Sequence, residues 1–403
     1  MKIAVLSSRF PYPLERGDKL RLYHQLRVLS NYHDLYLISI SDRGIDTSEL
    51  KMLKVFCREV IIHKINIFQK ALGVFASLMG NRPFQTALSY HGSIHKKIKA
   101  EIQQISPDLI YCQLIRMAPY CEGLTQPKVL DFMDAFSVGM QRRASLAPPY
   151  LRWLYKMESE RVAKIEFSSL KKFNASTVIS EQDRKLIDPG KKCDIQVIPN
   201  GIDLDYFTYN YVVGAKFDVS FVGNLGYLPN VDAAHSLLKK ISTIFHTKTG
   251  RKLSIHIAGA RPDASLKPLI NDVSKLSSWV EDVRSAYLSA KIFVAPLFFG
   301  TGQQNKILEA MALGLPCITT TLVNNAIGAK RGKEIIIADS AEAFANAIIE
   351  LLLNKEKLLA LSYSGREFVE KNYPWNHSVD KLNNVFKKVI LSNDDRKHDH
   401  DKS

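Results

Sequence analysis

The 403-residue chain has no uninterrupted apolar run of the ~20 residues that a membrane-crossing helix needs. Its five cysteines, Cys57, Cys112, Cys121, Cys193 and Cys317, show no CxxC or other metal-ligand spacing. Their odd count and scatter point to reduced thiols, and so to the cytoplasm, and no bound metal is expected. There is no zinc-finger spacing, aromatic RNP run or basic heptad region, which argues against nucleic acid as a partner. The opening run Met1–Leu6 is too short for a signal peptide's apolar region and reads as a strand. No GxGxxG follows it, so a dinucleotide fingerprint is unsupported.

What is present suits an ordinary globular protein of two domains, with 46% hydrophobic and 24% charged residues. The net charge of +15 is uneven. Residues 1–200 hold 30 Lys and Arg against 19 Asp and Glu, and residues 51–100 hold nine against Glu59 alone. A basic half suits anionic lipid, a nucleotide diphosphate or simply water. Strand-like runs alternate with helical patterns in both halves, the mark of a parallel α/β fold. Expected strands are 3–7, 34–39, 60–63, 109–113, 129–131 and 175–179, then 219–221, 254–258, 292–295, 317–320 and 335–337. A helix is expected from about Lys19 to Ser30. The domains divide as 1–205 and 212–376, with a helix at 377–392 and an apolar-free, disordered tail at 393–403.

The most informative stretch runs from Ile292 to Thr321. An apolar strand leads through Gly300-Thr301-Gly302 to an amphipathic helix opening near Gln303, and Gly314-Leu315-Pro316 stops it. A tight turn aimed at a helix N-terminus offers free N–H groups and the positive end of the helix dipole, which suits a diphosphate. Glu309 lies about two turns further in, placed for ribose hydroxyls. The run Gln304-Asn305-Lys306-Ile307-Leu308-Glu309-Ala310-Met311-Ala312 with Gly314 and Pro316 resembles the donor-binding signature of GT-B glycosyltransferases, in particular glycosyltransferase family 4. Its variant form is similar to sugar transferases of bacterial exopolysaccharide and exosortase systems. The family's Glu-x7-Glu pattern would put its first glutamate at Thr301, so that carboxylate is missing.

The resemblance implies two Rossmann-like domains facing a central cleft, a nucleotide diphosphate sugar as co-substrate, and no cofactor. Three further segments share it. Pro11-Tyr12-Pro13 with Gly17-Asp18-Lys19 and Arg21 implies Gly17 at the donor diphosphate and Arg16 toward the acceptor; the plain reading of Asp18 is the helix N-cap. Asp131-Phe132-Met133-Asp134-Ala135-Phe136-Ser137 ends a strand with two carboxylates at the ligand-binding edge. Asp131 and Asp134 are the acceptor candidates, and Asp134 would position or deprotonate the acceptor hydroxyl; capping the next helix is the alternative. Gly223-Asn224 with Pro229-Asn230 and Asp232-Ala233 supplies a glycine turn but none of the family's usual cations, leaving Lys306 and then Arg261 to neutralise the diphosphate.

The donor set is completed by Gly302, Gln303, Gln304, Asn305 and Glu309, with the base near Val280. Asp203-Leu204-Asp205 matches the metal motif of the other glycosyltransferase fold but reads as a turn. Residues 71–79 and the cation–aromatic mixture from Arg142 to Lys156 suggest peripheral contact with an anionic membrane, on the inner face of the plasma membrane. The expected activity is metal-independent, retaining transfer of a sugar to a saccharide or lipid-linked acceptor in bacterial surface polysaccharide biosynthesis. A nucleotide-sugar epimerase and a catalytically silent nucleotide-sugar-binding protein are the alternatives.

Overall fold

In the computed structural model the described residues are 1–400, apart from 81, 212, 213, 300 and 301. The chain forms two compact units, Met1–Pro199 with Trp375–Ser403, and Asn200–Pro374. Residues 200–205, assigned from sequence to the first domain, belong to the second. There the Asn200 backbone N–H donates to the Gln303 side chain at 2.9 Å, and Ile202 bridges to Pro374.

In the first unit seven parallel strands carry the order β3-β2-β1-β4-β5-β6-β7. They are β1 Lys2–Ser7, β2 Asp34–Ser41, β3 Glu59–Lys64, β4 Leu109–Gln113, β5 Lys128–Met133, β6 Ala175–Val178 and β7 Ile195–Val197. Alternation along β1 builds two cores: Ile3 and Val5 enter one cluster, Ala4 and Leu6 the other. Helix α1, Gly17–Leu29, puts Leu22 and Leu26 into the first cluster. The terminal helix Trp375–His400 adds Trp375, Val379, Leu382 and Phe386 there, with Trp375 stacked on His24 at 4.8 Å. That helix passes residue 392 and takes in most of the tail expected to be disordered, since nothing after Pro374 breaks a helix. Three more helices bear on the site: α2 Ile67–Met79, α3 Phe136–Leu146 and α4 Pro149–Lys172.

In the second unit six parallel strands run β10-β9-β8-β11-β12-β13. These are β8 Phe217–Val222, β9 Ile255–Ala258, β10 Ser274–Ser277, β11 Ala290–Ala295, β12 Cys317–Thr319 and β13 Ile336–Ile337. Helices α5, Leu228–His235, and α6, Asn305–Ala312, follow β8 and β11. One core joins Phe221, Ile257, Phe293, Leu308 and Phe344. In both units the strand order reverses beside the first strand, between β1 and β4 and between β8 and β11. Ligands of open α/β sheets bind at the carboxyl edge of such a switch point.

Candidate active site

At the carboxyl edge of β8 and β11, α6 starts after Gly302, whose φ of +75° is a left-handed turn that glycine reaches without strain. The helix begins two residues later than the sequence suggested, with Gln304 as its N-cap. Lys306, in the first turn, points a partly buried ammonium at the Asn230 side-chain oxygen (2.8 Å) and at Gln304 Oε1 (2.9 Å). Both partners are neutral. Burial pulls the Lys306 pKa down to about 8, while Glu309 one turn on works the other way. A cation at a helix N-terminus also opposes the dipole. An anion placed there would relieve both penalties.

A Cβ on Gly223 would press on Asn230 and on Cε of Lys306, and one on Gly259 would overlap the carbonyl oxygen of Gly223. The β8 and β9 turns are therefore in direct backbone contact beside Lys306. Asn224 is exposed and its side chain accepts from the Gly226 N–H at 3.0 Å. Arg261, exposed with φ of +56°, packs its Cβ on Gly226. Such strain in a non-glycine residue at a strand edge clusters at ligand sites.

Glu309 accepts a hydrogen bond from the Tyr287 hydroxyl at 2.7 Å. Burial raises its pKa, with the Tyr287 bond and Lys306 holding it down. Val280 packs at the edge of the core beside the exposed Trp279. Tyr206 donates to Asp282 at 3.0 Å and lies under the Arg284 guanidinium, 4.3 Å from its ring centroid. Sequence reasoning missed Asn230, Tyr287 and this trio; for Asn230 the Pro-Asn pair opening α5 was the available signal.

One donor assignment needs correction. The Gln303 amide accepts from the Asn200 N–H and donates to the Asn200 carbonyl at 3.0 Å, so both ends of the side chain are spent holding the 200 segment. Asn305 accepts from the Asn200 side chain at 3.4 Å. Thr301, where the family's first glutamate would fall, lies outside the described residues.

In the first unit the two carboxylates of the Asp-x-x-Asp run part company. Asp131 is 0% exposed and cannot meet an acceptor. It pairs with the equally buried Arg21, at 2.7 Å and 3.3 Å, and accepts from Tyr111 (3.0 Å) and Thr177 (2.9 Å). The cause is the 3.6-residue period of α1, which turns Arg21 into the sheet, where a buried charge must be neutralised. Ser137 is likewise structural, donating to Glu166.

Asp134 is different. It sits just past Met133, whose φ of +64° turns the chain off β5 and which packs with Leu114, φ +67°, just after β4. Helix α3 is capped by Ala135 and takes no side-chain cap, so Asp134 is not a capping residue. Its carboxyl is partly accessible, and its pKa rises to about 7. Burial is the main cause, then the negative charge of Asp183, with Arg21 pulling the other way and Asp131 and Asp18 adding to the rise. A carboxyl poised near neutrality suits a general base.

Gly17 opens α1, and a Cβ there would meet nothing. Arg16 is exposed and is the N-cap residue, with no side-chain cap bond; Asp18 pairs instead with Arg9. Asp203 accepts the Tyr206 N–H at 3.3 Å, as a turn residue does. Among the described residues no three His, Cys, Asp or Glu side chains gather as a metal site, and no helix is long and apolar enough to cross a membrane.

Two Rossmann-like units with these strand orders define the GT-B fold. Residues 216–354 match the family model described as "Glycosyl transferases group 1". A Klebsiella pneumoniae protein described as an uncharacterized 44.6 kDa protein in the cps region is 23% identical over 392 residues, 92% of this chain and 96% of that one. An Escherichia coli UDP-Gal:alpha-D-GlcNAc-diphosphoundecaprenol alpha-1,3-galactosyltransferase is 24% identical over 227 residues, 51% of this chain and 56% of that protein. The solved structure of Anabaena Alr3699/HepE in complex with UDP superposes with a TM-score of 0.68 at 13% identity, covering 96% of this chain and 100% of that one. The fold is GT-B, and its second unit carries a glycosyl transferases group 1 domain over residues 216–354.

Proposed function

We propose that this glycosyltransferase uses a nucleotide diphosphate sugar bound to the second unit and an acceptor bound to the first, in bacterial surface polysaccharide assembly. The observation that carries the donor assignment is Lys306, a cation at a helix N-terminus with only neutral hydrogen-bond partners among the described residues, packed against the Gly223 backbone. The diphosphate would take its charge from Lys306 and Arg261 and its hydrogen bonds from the N–H groups around Gly223 and Gln304. Glu309, oriented by Tyr287, would take the ribose hydroxyls, and the base would lie along Val280. As the sugar's bond to the diphosphate breaks, these groups hold the departing charge. Asp134 accepts the proton of the attacking hydroxyl. Retention and membership of glycosyltransferase family 4 are carried by the resemblance of residues 304–316.

Contact with an anionic membrane on its cytoplasmic side is part of the same reading. Its support is α4, where Trp153 is 62% exposed and Tyr150 is exposed in the same first turns, near the basic residues Arg142, Arg143, Arg152 and Lys156. The side chains of Ala76, Leu78 and Met79, in the other segment named from sequence, lie outside the described residues.

Thermal-shift screening against nucleotide sugars tests the donor reading, because a ligand selective for the native state raises apparent stability. At least one should raise the melting temperature, and Glu309→Ala should abolish that rise. A panel in which none does so refutes it.

A further inference from the structure

The first unit contains a cavity of about 610 Å³ at the carboxyl edge of β1 and β2. Six cations line it: Arg9, Arg16, Lys19, Arg43, Lys70 and Arg116. Three are answered by carboxylates, Arg9 by Asp18, Arg43 by Glu49, and Lys70 of α2 by Asp42. The other three have no carboxylate at ion-pair distance among the described residues, and Glu15 is the one further acid in the wall. Arg116 is held in place without being neutralised. Its Nε and Nη2 donate to the Gln85 side-chain oxygen at 3.1 Å and 2.6 Å, and its guanidinium lies 5.1 Å from the Phe136 ring centroid. Its Nη1 has no partner among the described residues. Burial, then the charge of Arg9, bring its pKa down to about 10. Lys19 donates to the Tyr12 carbonyl alone, at 3.3 Å. The Ser8 hydroxyl is buried in the same wall with no partner among the described residues. A fixed guanidinium with a donor to spare and no opposite charge is unfavourable until a compact anion enters.

The cavity adjoins the reacting centre. Phe136, against which Arg116 packs, follows Asp134 by two residues and itself packs with Met133 and Leu114. The Asp18 carboxylate acts on the titration of both Asp134 and Arg116. Besides its cations the wall mixes the polar Ser41, Gln85 and Ser89 with the apolar Phe10 and Ile40. Such a mixture suits the hydroxyls and the C–H face of a sugar ring, and a bare inorganic ion would leave most of the space to water. An anion that also brings a hydroxyl to Asp134 is an acidic sugar.

We propose that the acceptor ends in an acidic sugar, a hexuronate, whose carboxylate is bound by Arg116 and Lys19 and whose ring lies in this cavity. This rests on the glycosyltransferase reading above and adds what the acceptor must carry besides its hydroxyl. The transfer itself is the one already described. The hydroxyl oxygen bonds to the donor's anomeric carbon, the bond from that carbon to the diphosphate breaks with its electron pair staying on the diphosphate, and the hydroxyl proton passes to Asp134. Arg116 and Lys19 touch only the carboxylate, so they select the acceptor without entering the chemistry. Calorimetric titration of the full chain, with UDP present, tests this with p-nitrophenyl β-glucuronide and β-galacturonide against the matching glucoside and galactoside, which carry a hydroxymethyl group in place of the carboxylate. At least one uronide should bind at least tenfold more tightly than its neutral match. Arg116→Gln and Lys19→Gln should each weaken that uronide tenfold or more and leave UDP affinity unchanged. Lys19→Gln keeps the test decisive should Arg116→Gln fail to fold. Inorganic phosphate that binds as tightly as the better uronide would mark an unselective anion site and overturn the proposal. Equal affinity for uronides and neutral sugars, no measurable uronide binding, or undiminished uronide binding in the variants would overturn it as well. If UDP binds and the uronides show no preference, this inference alone fails; if UDP does not bind, the donor reading fails, and the uronide comparison still decides the cavity.

Discussion

Asp134→Asn should stabilise the protein and disable it at once. The folded-state pKa of Asp134 is about 7, against 3.8 for an unhindered aspartate. The native state therefore holds this proton more tightly than the unfolded chain. Between pH 3.8 and 7 the native state binds more protons, so stability falls as pH rises through that window and levels off above it. At ~1.4 kcal/mol per unit, the shift costs roughly 2 kcal/mol at pH 5, where the folded protein must hold a proton the unfolded chain releases, and roughly 4 kcal/mol at pH 8, where the folded carboxylate is ionised, as upper limits for a partly accessible group. Asparagine has the same shape and nothing to ionise. Chemical denaturation of wild type and variant at both values should show Asp134→Asn the more stable, and by more at pH 8. The same variant should lose about 10²–10⁴-fold in turnover, the usual worth of a positioned base. Wild-type kcat/KM should rise with pH toward a plateau above about 7. A variant that is less stable at pH 8, or one that transfers sugar like wild type, refutes the assignment of Asp134 as base.

Lys306→Met should weaken UDP binding by tenfold or more in calorimetry, and wild-type affinity should fall as pH rises past about 8, where the free ammonium loses its proton; pH-independent binding would count against a diphosphate at α6. Gly259→Ala should prevent folding or cost several kcal/mol, since no shift of a flexible side chain can free the Gly223 carbonyl; a melting temperature within a few degrees of wild type would show that the two turns can part. Asp131→Ala should destabilise by about 3–5 kcal/mol by leaving Arg21 buried and unpaired, and Arg21→Met with Asp131→Leu should recover much of that loss in denaturant titrations.

Local periodicity read the central strands well, because they are buried on both faces and written in long apolar runs. It missed β7 and β10, which lie at sheet edges. Residues 195–197 are interrupted by Gln196, and Ser274-Lys275-Leu276-Ser277 has one apolar residue, so neither carries a strand pattern. The turn into α6 was legible because its residues are contiguous: glycine, N-cap and lysine follow one another between 302 and 306. Tyr287 beside Glu309 joins residues 22 apart, and Arg21 beside Asp131 joins residues 110 apart. That second pairing is what misled the reading of Asp-x-x-Asp. Two acids three apart at a strand end look equivalent in sequence, yet the partner that makes one of them structural sits on a helix early in the chain.

The two acids also show how structural charge and working charge differ in this molecule. Where a charge serves the fold, the protein answers it in full: Arg21 and Asp131 share two contacts, and Tyr111 and Thr177 occupy the remaining lone pairs. Asp134, Lys306 and Arg116 receive no such answer. Burial moves the carboxyl to about 7, the ammonium to about 8 and the guanidinium to about 10, each toward its neutral form. Selection for stability alone would remove such groups, since an apolar residue in a buried position costs less than an uncompensated ion. Their presence at strand edges and helix starts, next to backbone in strained or glycine-only conformations, fits a compensating partner that arrives with the substrates. UDP should therefore raise the melting temperature of wild type and raise it much less in Lys306→Met. Equal rises in both proteins would mean that this charge is tolerated for some other reason.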